Sequence, residues 1–197
     1  STNGMLLTKK RLIKLKPYID NIRFSLRGVE GIHNKITGNN DSYGKTIKAI
    51  QISRNVGLPV SIVSTVVVNN YKQMGLVAEK CEIEGVEKLY YFSLIPRGRA
   101  LKLYKKQGVG IDKISREYNK IVENAKKKNW NLEIKIANFT IEGECVLVFP
   151  DGRVVGVPSF TSKGNQLVLG NILKDNLLRM WKKYPFKENY CSYYRNH

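Results

Sequence analysis

The chain has 197 residues, of which 42% are hydrophobic and 10% aromatic, so it is long enough to bury a core and predicts one or two globular domains. Its 34 Lys and Arg residues against 16 Asp and Glu give a net charge of +18. A chain this basic usually binds a polyanion, either nucleic acid or an anionic membrane surface, although a solvated cationic face gives the same composition. Most of the excess charge lies in residues 1–130, so the N-terminal part is predicted to hold the polyanion.

Several classes of protein are disfavoured by what the sequence lacks. Cys81, Cys145 and Cys191 are odd in number and form no CxxC pair, which argues against a zinc ribbon and a secreted disulfide framework. The two histidines have no ligand-spaced partners, and neither a Walker A sequence nor GxGxxG occurs, so no metal or cofactor is expected. No apolar run reaches the roughly 18 residues of a membrane span. The expected localisation is cytoplasmic.

The first 44 residues predict a basic N-terminal segment, then a helix and a loop. Ser1–Gly4 precede Met5 and could be a remnant outside the native chain. Residues 8–16 interleave five cations with Leu and Ile, which fits either a solvated helix end or an arm that follows phosphates. Helical spacing then predicts a helix over about 17–36, and the glycine- and asparagine-rich residues 38–44 predict a loop.

The following segment predicts a helix, a tight turn and a second helix. The first helix spans about 45–55 and ends at Gly57, and Pro59 begins a helix over 59–74. In that second helix one apolar stripe is predicted at Val63, Val66, Val67, Tyr71 and Met74. The opposite face would carry small polar side chains that can approach base edges, with Asn able to pair with adenine.

A β-hairpin is predicted next. Residues 76–83 and 88–95 have the composition of strands, and Glu84–Glu87 form the turn between them. Residues 96–99 then lead into another helix.

The stretch 45–106 resembles a winged-helix DNA-binding domain of the archaeal and bacterial regulator type. The resemblance rests on the turn Gly57-Leu58-Pro59, the helix end Met74-Gly75-Leu76-Val77, the hairpin, and the exit Leu94-Ile95-Pro96-Arg97-Gly98-Arg99. It implies that helix 59–74 is the recognition helix. The side chains that it would place on bases and phosphates are Ser61, Ser64, Thr65, Asn69 and Lys72. Backbone contacts would come from Lys45, Lys48, Arg54, Lys88, Arg97 and Arg99. The acidic hairpin departs from family wings, which often carry cations at the tip.

The remaining chain predicts a connector and a second domain. A lysine-rich helix over 111–129 has near-heptad apolar spacing, so it could pair two copies or pack on its own domain. Strands are predicted at 132–141, 144–149 and 154–157, and a helix at about 165–183. The aromatic tail Tyr184–His197 is expected to cover that domain's core.

The predicted fold is therefore α+β: a winged helix-turn-helix domain followed by a small α+β C-terminal domain. The predicted boundaries are 1–107 for the DNA-binding domain, 108–130 for the helical connector and 131–197 for the second domain. The expected function is that of a homodimeric, sequence-specific transcriptional regulator, nucleoid-associated, bound to double-stranded DNA and not an enzyme. The alternatives are a replication-initiation or plasmid-partition factor and a winged-helix adaptor between proteins. Glu133-Ile134-Lys135 matches an E-x-K nuclease fragment, a three-residue match that chance would supply.

Overall fold

The computed structural model describes residues 1–95, 100–137, 145–157, 167–182, 186–187 and 190–191. They belong to two compact units: Ser1–Leu94 with Lys105–Ala137, and Ile95–Tyr104 with Asn138–His197. The helices are α1 (Lys9–Leu15), α2 (Glu30–Thr37), α3 (Ser42–Asn55), α4 (Met74–Ile83), α5 (Ala100–Gln107), α6 (Ile111–Lys127) and α7 (Leu177–Lys182). The strands are β1 (Ile22–Ser25), β2 (Val60–Val66), β3 (Lys88–Ser93), β4 (Glu133–Ala137), β5 (Cys145–Val148), β6 (Arg153–Val157), β7 (Leu167–Asn171), β8 (Phe186–Lys187) and β9 (Tyr190–Cys191).

The first unit is built on a four-stranded parallel sheet. Its order is β1-β2-β3-β4, so each strand lies beside the strand that precedes it along the chain. Parallel neighbours need a crossover of a dozen or more residues, and the segments between these strands supply it with helices. One register row runs through Phe24, Ile62, Leu89 and Ile134, and it is apolar throughout.

The helices of this unit cover one face of the sheet. Buried side chains of α3, α4 and α6 form a single apolar cluster with Phe24, Ile62, Leu89 and Tyr91 of the strands. The Tyr91 hydroxyl donates a hydrogen bond of 2.6 Å to the Met74 carbonyl oxygen at the start of α4. That bond joins β3 to the start of a helix on the covered face.

The alternate strand residues form the second face of the sheet, because successive strand side chains point to opposite sides. We call this surface the polar face. Its register rows are Arg23–Ser61–Lys88–Glu133, Ser25–Val63–Tyr90–Lys135 and Thr65–Phe92. Charged and hydroxyl groups and aromatic rings dominate it, in contrast to the buried and mostly apolar helix-covered face.

The second unit contains an antiparallel sheet. Its strand order is β5-β6-β7, with an irregularity between Val154 and Val155 where β6 meets β7. The turn between β5 and β6 is held by Asp151, whose carboxylate accepts from the Arg153 guanidinium at 2.6 Å. Strands β8 and β9 pair separately.

The winged-helix interpretation is wrong. The stretch predicted as recognition helix 59–74 is strand β2, a 3-10 turn at Tyr71–Gln73 and the first residue of α4. Its run of Val, Ile and Thr suits a strand, since β-branched side chains pack well on a pleated surface and poorly on a helix. The central position of β2, between two parallel neighbours, explains why apolar residues occur on both of its faces.

The predicted wing is also wrong. Its first strand, 76–83, is helix α4, and its second strand is β3, which pairs in parallel with β2 and β4. The predicted fold class, a winged helix-turn-helix domain followed by a small α+β domain, is therefore replaced by a parallel α/β sheet unit with a second, antiparallel unit.

Other elements were predicted with mixed success. The helices at 45–55 and 111–129 and the hairpin of 144–157 are confirmed as α3, α6 and β5–β6. The helix predicted over 17–36 is a short turn, β1 and α2, and the one over 165–183 begins as β7. Residues 96–99 and most of the tail 184–197 lie outside the described residues.

The predicted pairing seam of α6 packs inside its own unit. Ile114 and Ile121 belong to the core cluster, and the Tyr118 hydroxyl donates to the Ile134 carbonyl oxygen at 3.2 Å. The apolar stripe is used within the chain, so it is not free to serve as the predicted dimer seam. No helix in the described ranges is long and apolar enough to cross a membrane.

Candidate functional site

The carboxyl edge of the parallel sheet is where the candidate site begins. In open α/β sheets, ligands bind outside the carboxyl ends of the strands. Here the residues that follow β1 and β2, namely 26–29 and 67–70, meet at that edge, and the polar face leads away from it along the strands.

Asn70 joins the two loops at this edge. Its side chain is 4% exposed and donates to the carbonyl oxygens of Arg27, at 2.7 Å, and Thr65, at 2.9 Å. Its carbonyl oxygen accepts from the Val67 amide at 2.7 Å. All of its hydrogen-bonding partners are backbone groups, so Asn70 sets the loop geometry and leaves the ligand space to other residues.

The buried side chain of His33 holds the loop after β1 through a hydrogen bond to its backbone. Its Nδ1 accepts from the Arg27 amide at 3.1 Å, and its Nε2 lies 3.0 Å from the Ser42 hydroxyl. Burial, followed by the positive charge of Arg27, lowers the pKa of His33 to about 4. The imidazole is therefore neutral at physiological pH and acts as a structural acceptor.

The N-terminal residues pair with the outer side of β1, at the lateral edge of the sheet, which the sequence did not suggest. Thr2 bridges in parallel to Phe24 of β1, and the Asn3 carbonyl oxygen accepts from the Thr46 hydroxyl at 2.9 Å. Gly4 has φ +76, and an added Cβ would lie 2.8 Å from the Phe24 ring. Thr2, Asn3 and Gly4, within the stretch that could be a remnant, thus contact β1 and α3.

Two cations, Arg23 on β1 and Arg27 in the loop that follows it, lie at the alternate positions that include Ser25 of the polar face. Arg23 extends over β2, and its guanidinium carbon lies 5.1 Å from the centre of the Tyr90 ring on β3. Arg27, two positions beyond Ser25, continues the alternation to the carboxyl edge. Burial lowers the pKa of the Arg27 guanidinium from its usual value, and no described residue forms an ion pair with it.

The acid on this face is already neutralised. Glu133 pairs with Lys135 at 2.6 Å and with Lys88 at 3.0 Å. Hydrogen bonds from Lys135 and then from Lys88 lower the pKa of the Glu133 carboxyl below its usual value. The E-x-K match of the sequence is thus an exposed ion pair.

The residues predicted to bind DNA are scattered by the structure. Ser61 and Thr65 lie on the polar face, whereas Ser64 lies on the helix-covered side of β2. Asn69 and Lys72 are exposed beyond the carboxyl end of β2.

The predicted phosphate-binding cations occupy other regions. Lys45 and Lys48 are exposed on α3, where Lys45 pairs with Asp41 at 3.1 Å. Arg54, at the end of α3, donates to the Glu84 carbonyl oxygen at 2.8 Å, and Lys88 starts β3. Arg97 and Arg99 lie outside the described residues. No single surface collects the members of the predicted set that the structure describes.

No metal centre occurs among the residues that the structure describes, since no three of their His, Cys, Asp or Glu side chains cluster. The site therefore offers cations, hydroxyls, amides and aromatic rings as its binding chemistry.

Comparison with known proteins gives structural matches alone. No family model and no curated protein matches the sequence. The fold is similar to that of Streptococcus suis SuiB, with a TM-score of 0.67 at 16% identity over 93% of this chain and 48% of SuiB. SuiB bound to S-adenosylmethionine gives a TM-score of 0.69 over the same shares, and SuiB bound to precursor peptide SuiA gives 0.62 over 93% and 47%. The chain thus spans about half the length of SuiB.

These matches correct the functional expectations. The fold is that of a protein that binds S-adenosylmethionine and a precursor peptide, so the winged-helix regulator, its alternatives and double-stranded DNA as the partner are overturned. The expectation that the chain is not an enzyme is corrected on the same ground. The high positive charge misled the interpretation because composition records charge without its placement.

Proposed function

We propose that this chain is part of an enzyme that binds S-adenosylmethionine and acts on a peptide. The observation that carries the proposal is the shared fold with SuiB across 93% of the chain, combined with a polar face that leads from the carboxyl edge of the sheet. A parallel sheet normally has apolar cover on both faces, so a charged and aromatic face calls for a ligand.

The groups at the carboxyl end of the polar face fit the cofactor. S-adenosylmethionine carries a carboxylate, ribose hydroxyls and an adenine ring. Arg27 offers a guanidinium without an acidic partner in the described chain, which suits the carboxylate. Ser25 and Thr65 offer hydroxyls, which suit the ribose hydroxyls.

The chain's own residues would bind and orient the two ligands. When bound, S-adenosylmethionine supplies an activated carbon–sulfur bond at its sulfonium. Asn70 and His33 hold the two loops that border it, and Arg27 fixes its carboxylate. The remainder of the polar face, toward Ser61 and Lys88, is left for the peptide.

Calorimetric titration of the full-length protein with S-adenosylmethionine tests the proposal. Saturable binding is expected, and Arg27→Met should weaken it about tenfold, the equivalent of roughly 1.4 kcal/mol. Lys48→Met is the matched control, because it removes one cation from the exposed surface of α3 and should leave the affinity unchanged. Absence of binding by the folded protein, or equal losses in both variants, would overturn the assignment.

A further inference from the structure

Two buried polar atoms on the polar face lack hydrogen-bond partners. They are the Nε of Arg23 and the Oγ of Ser61. The two residues are direct register partners on β1 and β2, and Ser61 is only 2% exposed although it lies on the polar face. Buried polar groups are nearly always paired, so the two orphans mark a place for a missing partner.

The path of the Arg23 side chain explains the burial. To reach the Tyr90 ring on β3, the guanidinium must pass over the intervening strand β2, where Ser61 lies. Stacking on the ring holds the guanidinium without neutralising its charge. No described acid pairs with Arg23, and the nearest one by register, Glu133, is bound by Lys88 and Lys135.

The chemistry of the missing partner follows from the two unpaired atoms, Arg23 Nε and Ser61 Oγ. An arginine Nε only donates, and a serine hydroxyl beside it can donate as well. A carboxylate can accept from both at once, with one oxygen for each donor, and its shape matches a guanidinium. A carboxylate would also balance the excess of Arg23, Lys88 and Lys135 over Glu133 on this face.

The position of Arg23 and Ser61 favours the peptide substrate as the source of this carboxylate. Arg23 and Ser61 are each the second residue of their strands, so they lie near the amino end of the polar face, and β2 ends at Val66, five residues after Ser61. At about 3.3 Å per residue, Ser61 lies about 16–17 Å from the carboxyl end of β2, where the cofactor is proposed to bind. The carboxylate of S-adenosylmethionine is already assigned to Arg27, at the carboxyl edge of the sheet.

We infer that Arg23 and Ser61 form a carboxylate-binding subsite that holds an acidic side chain of the peptide substrate. The inference rests on the proposed function and adds a substrate class to it: a peptide with Glu or Asp at the position that reaches β1 and β2.

The test uses N-acetyl-glutamate amide as probe and N-acetyl-glutamine amide as its neutral isostere. In the full-length protein labelled with 15N-arginine, the Nε–H signal of Arg23 should shift saturably with the first probe only. Arg23→Lys should weaken probe binding at least tenfold and Ser61→Ala severalfold, whereas Lys48→Met should not change it. Equal responses to both probes, or none, would overturn the subsite.

Two further measurements separate the alternatives. If S-adenosylmethionine itself shifts the Arg23 signal and displaces the glutamate probe, the carboxylate is the cofactor's and the inference is wrong. If S-adenosylmethionine binds elsewhere while the glutamate probe has no effect, the inference fails alone and the proposed function stands. Arg23→Met should fold with unchanged or raised stability in the absence of ligand, because no ionic partner is lost; a clear loss of stability would show a structural role instead.

Discussion

The side-chain amide of Asn70 donates to the carbonyl oxygen of Arg27 at 2.7 Å, which joins the ends of two neighbouring parallel strands. The same side chain also binds Thr65 and Val67, so one buried residue determines the shape of the edge at which a ligand is expected. The loops around the proposed cofactor site are thus ordered before any ligand arrives.

Asn70→Ala should lower the free energy of unfolding by about 2–4 kcal/mol, because it leaves three backbone groups without partners at a buried position. Urea unfolding followed by circular dichroism would measure the change. Asn69→Ala is the control: Asn69 is exposed, and its loss should cost no more than about 0.5 kcal/mol. Similar costs for the two variants would contradict the role given to Asn70.

The lowered pKa of His33 should make the stability of the folded chain depend on pH. Its pKa is about 4 in the folded chain, compared with a usual value of 6.5, so below pH 6.5 the unfolded chain binds a proton that the folded chain does not. The stability contributed by neutral His33 is complete above pH 6.5 and is lost as the pH falls toward 4. The loss is up to about 3 kcal/mol.

Urea unfolding at several pH values between 7.5 and 4 would measure this loss. His33→Gln keeps a polar side chain without a titrating group, so its unfolding should show a shallower pH dependence over this range. An identical dependence in both proteins would exclude His33 as the source.

Gly4 is expected to resist substitution. Gly4→Ala places a Cβ 2.8 Å from the Phe24 ring in a left-handed backbone conformation, and should destabilise the chain by about 1–3 kcal/mol. Gly31→Ala is the matched control, since Gly31 lies within α2 and its added Cβ meets nothing within 4 Å. That change should be neutral or stabilising by up to about 1 kcal/mol in thermal unfolding. Equal melting temperatures for the two variants would contradict the tight packing of Gly4.

Adjacent tyrosines on β3 test which face the helices cover. Tyr91→Phe removes the buried hydroxyl that bonds to Met74 and should cost about 1–2 kcal/mol. Tyr90→Phe retains the ring beneath Arg23 and should leave the unfolding free energy nearly unchanged. Chemical denaturation of the two variants would compare them, and a larger cost at Tyr90 would reverse the assigned faces.

The sequence predicted amphipathic helices better than buried strands. Helix α6 has a polar side and an apolar side, so its period of 3.6 is visible in the sequence. Strand β2 has Val or Ile on both faces, and with Tyr71 and Met74 downstream its residues also fit a helical stripe. The opposite error was made for helix α4, which was predicted as a strand. Its sequence is apolar around Val77, Ala78 and Cys81 and so resembles a strand. The β-branched content of residues 60–66 was the signal that could have corrected the first error.

The candidate site was less predictable, because its residues become neighbours only through the sheet register. Arg23, Ser61 and Tyr90 are far apart in sequence and belong to no motif of fixed spacing. Ser61 and Thr65 were named for another reason and do lie on the polar face, whereas Arg23, Arg27 and Asn70 were not singled out. Only the parallel pairing of β1, β2 and β3 brings these residues to one surface.

The order of the strands has a consequence for how such a chain could diversify. Since every strand follows its spatial neighbour, the turns that enter strands, such as those at Gly57 and Gly85, alternate along the chain with the loops that leave them. Changes in the entering turns act on folding, and changes in the exit loops 26–29 and 67–70 act on ligand choice. Binding at the carboxyl edge could therefore be exchanged between related chains by grafting two short exit loops, whereas the proposed peptide subsite would stay with strands β1 and β2.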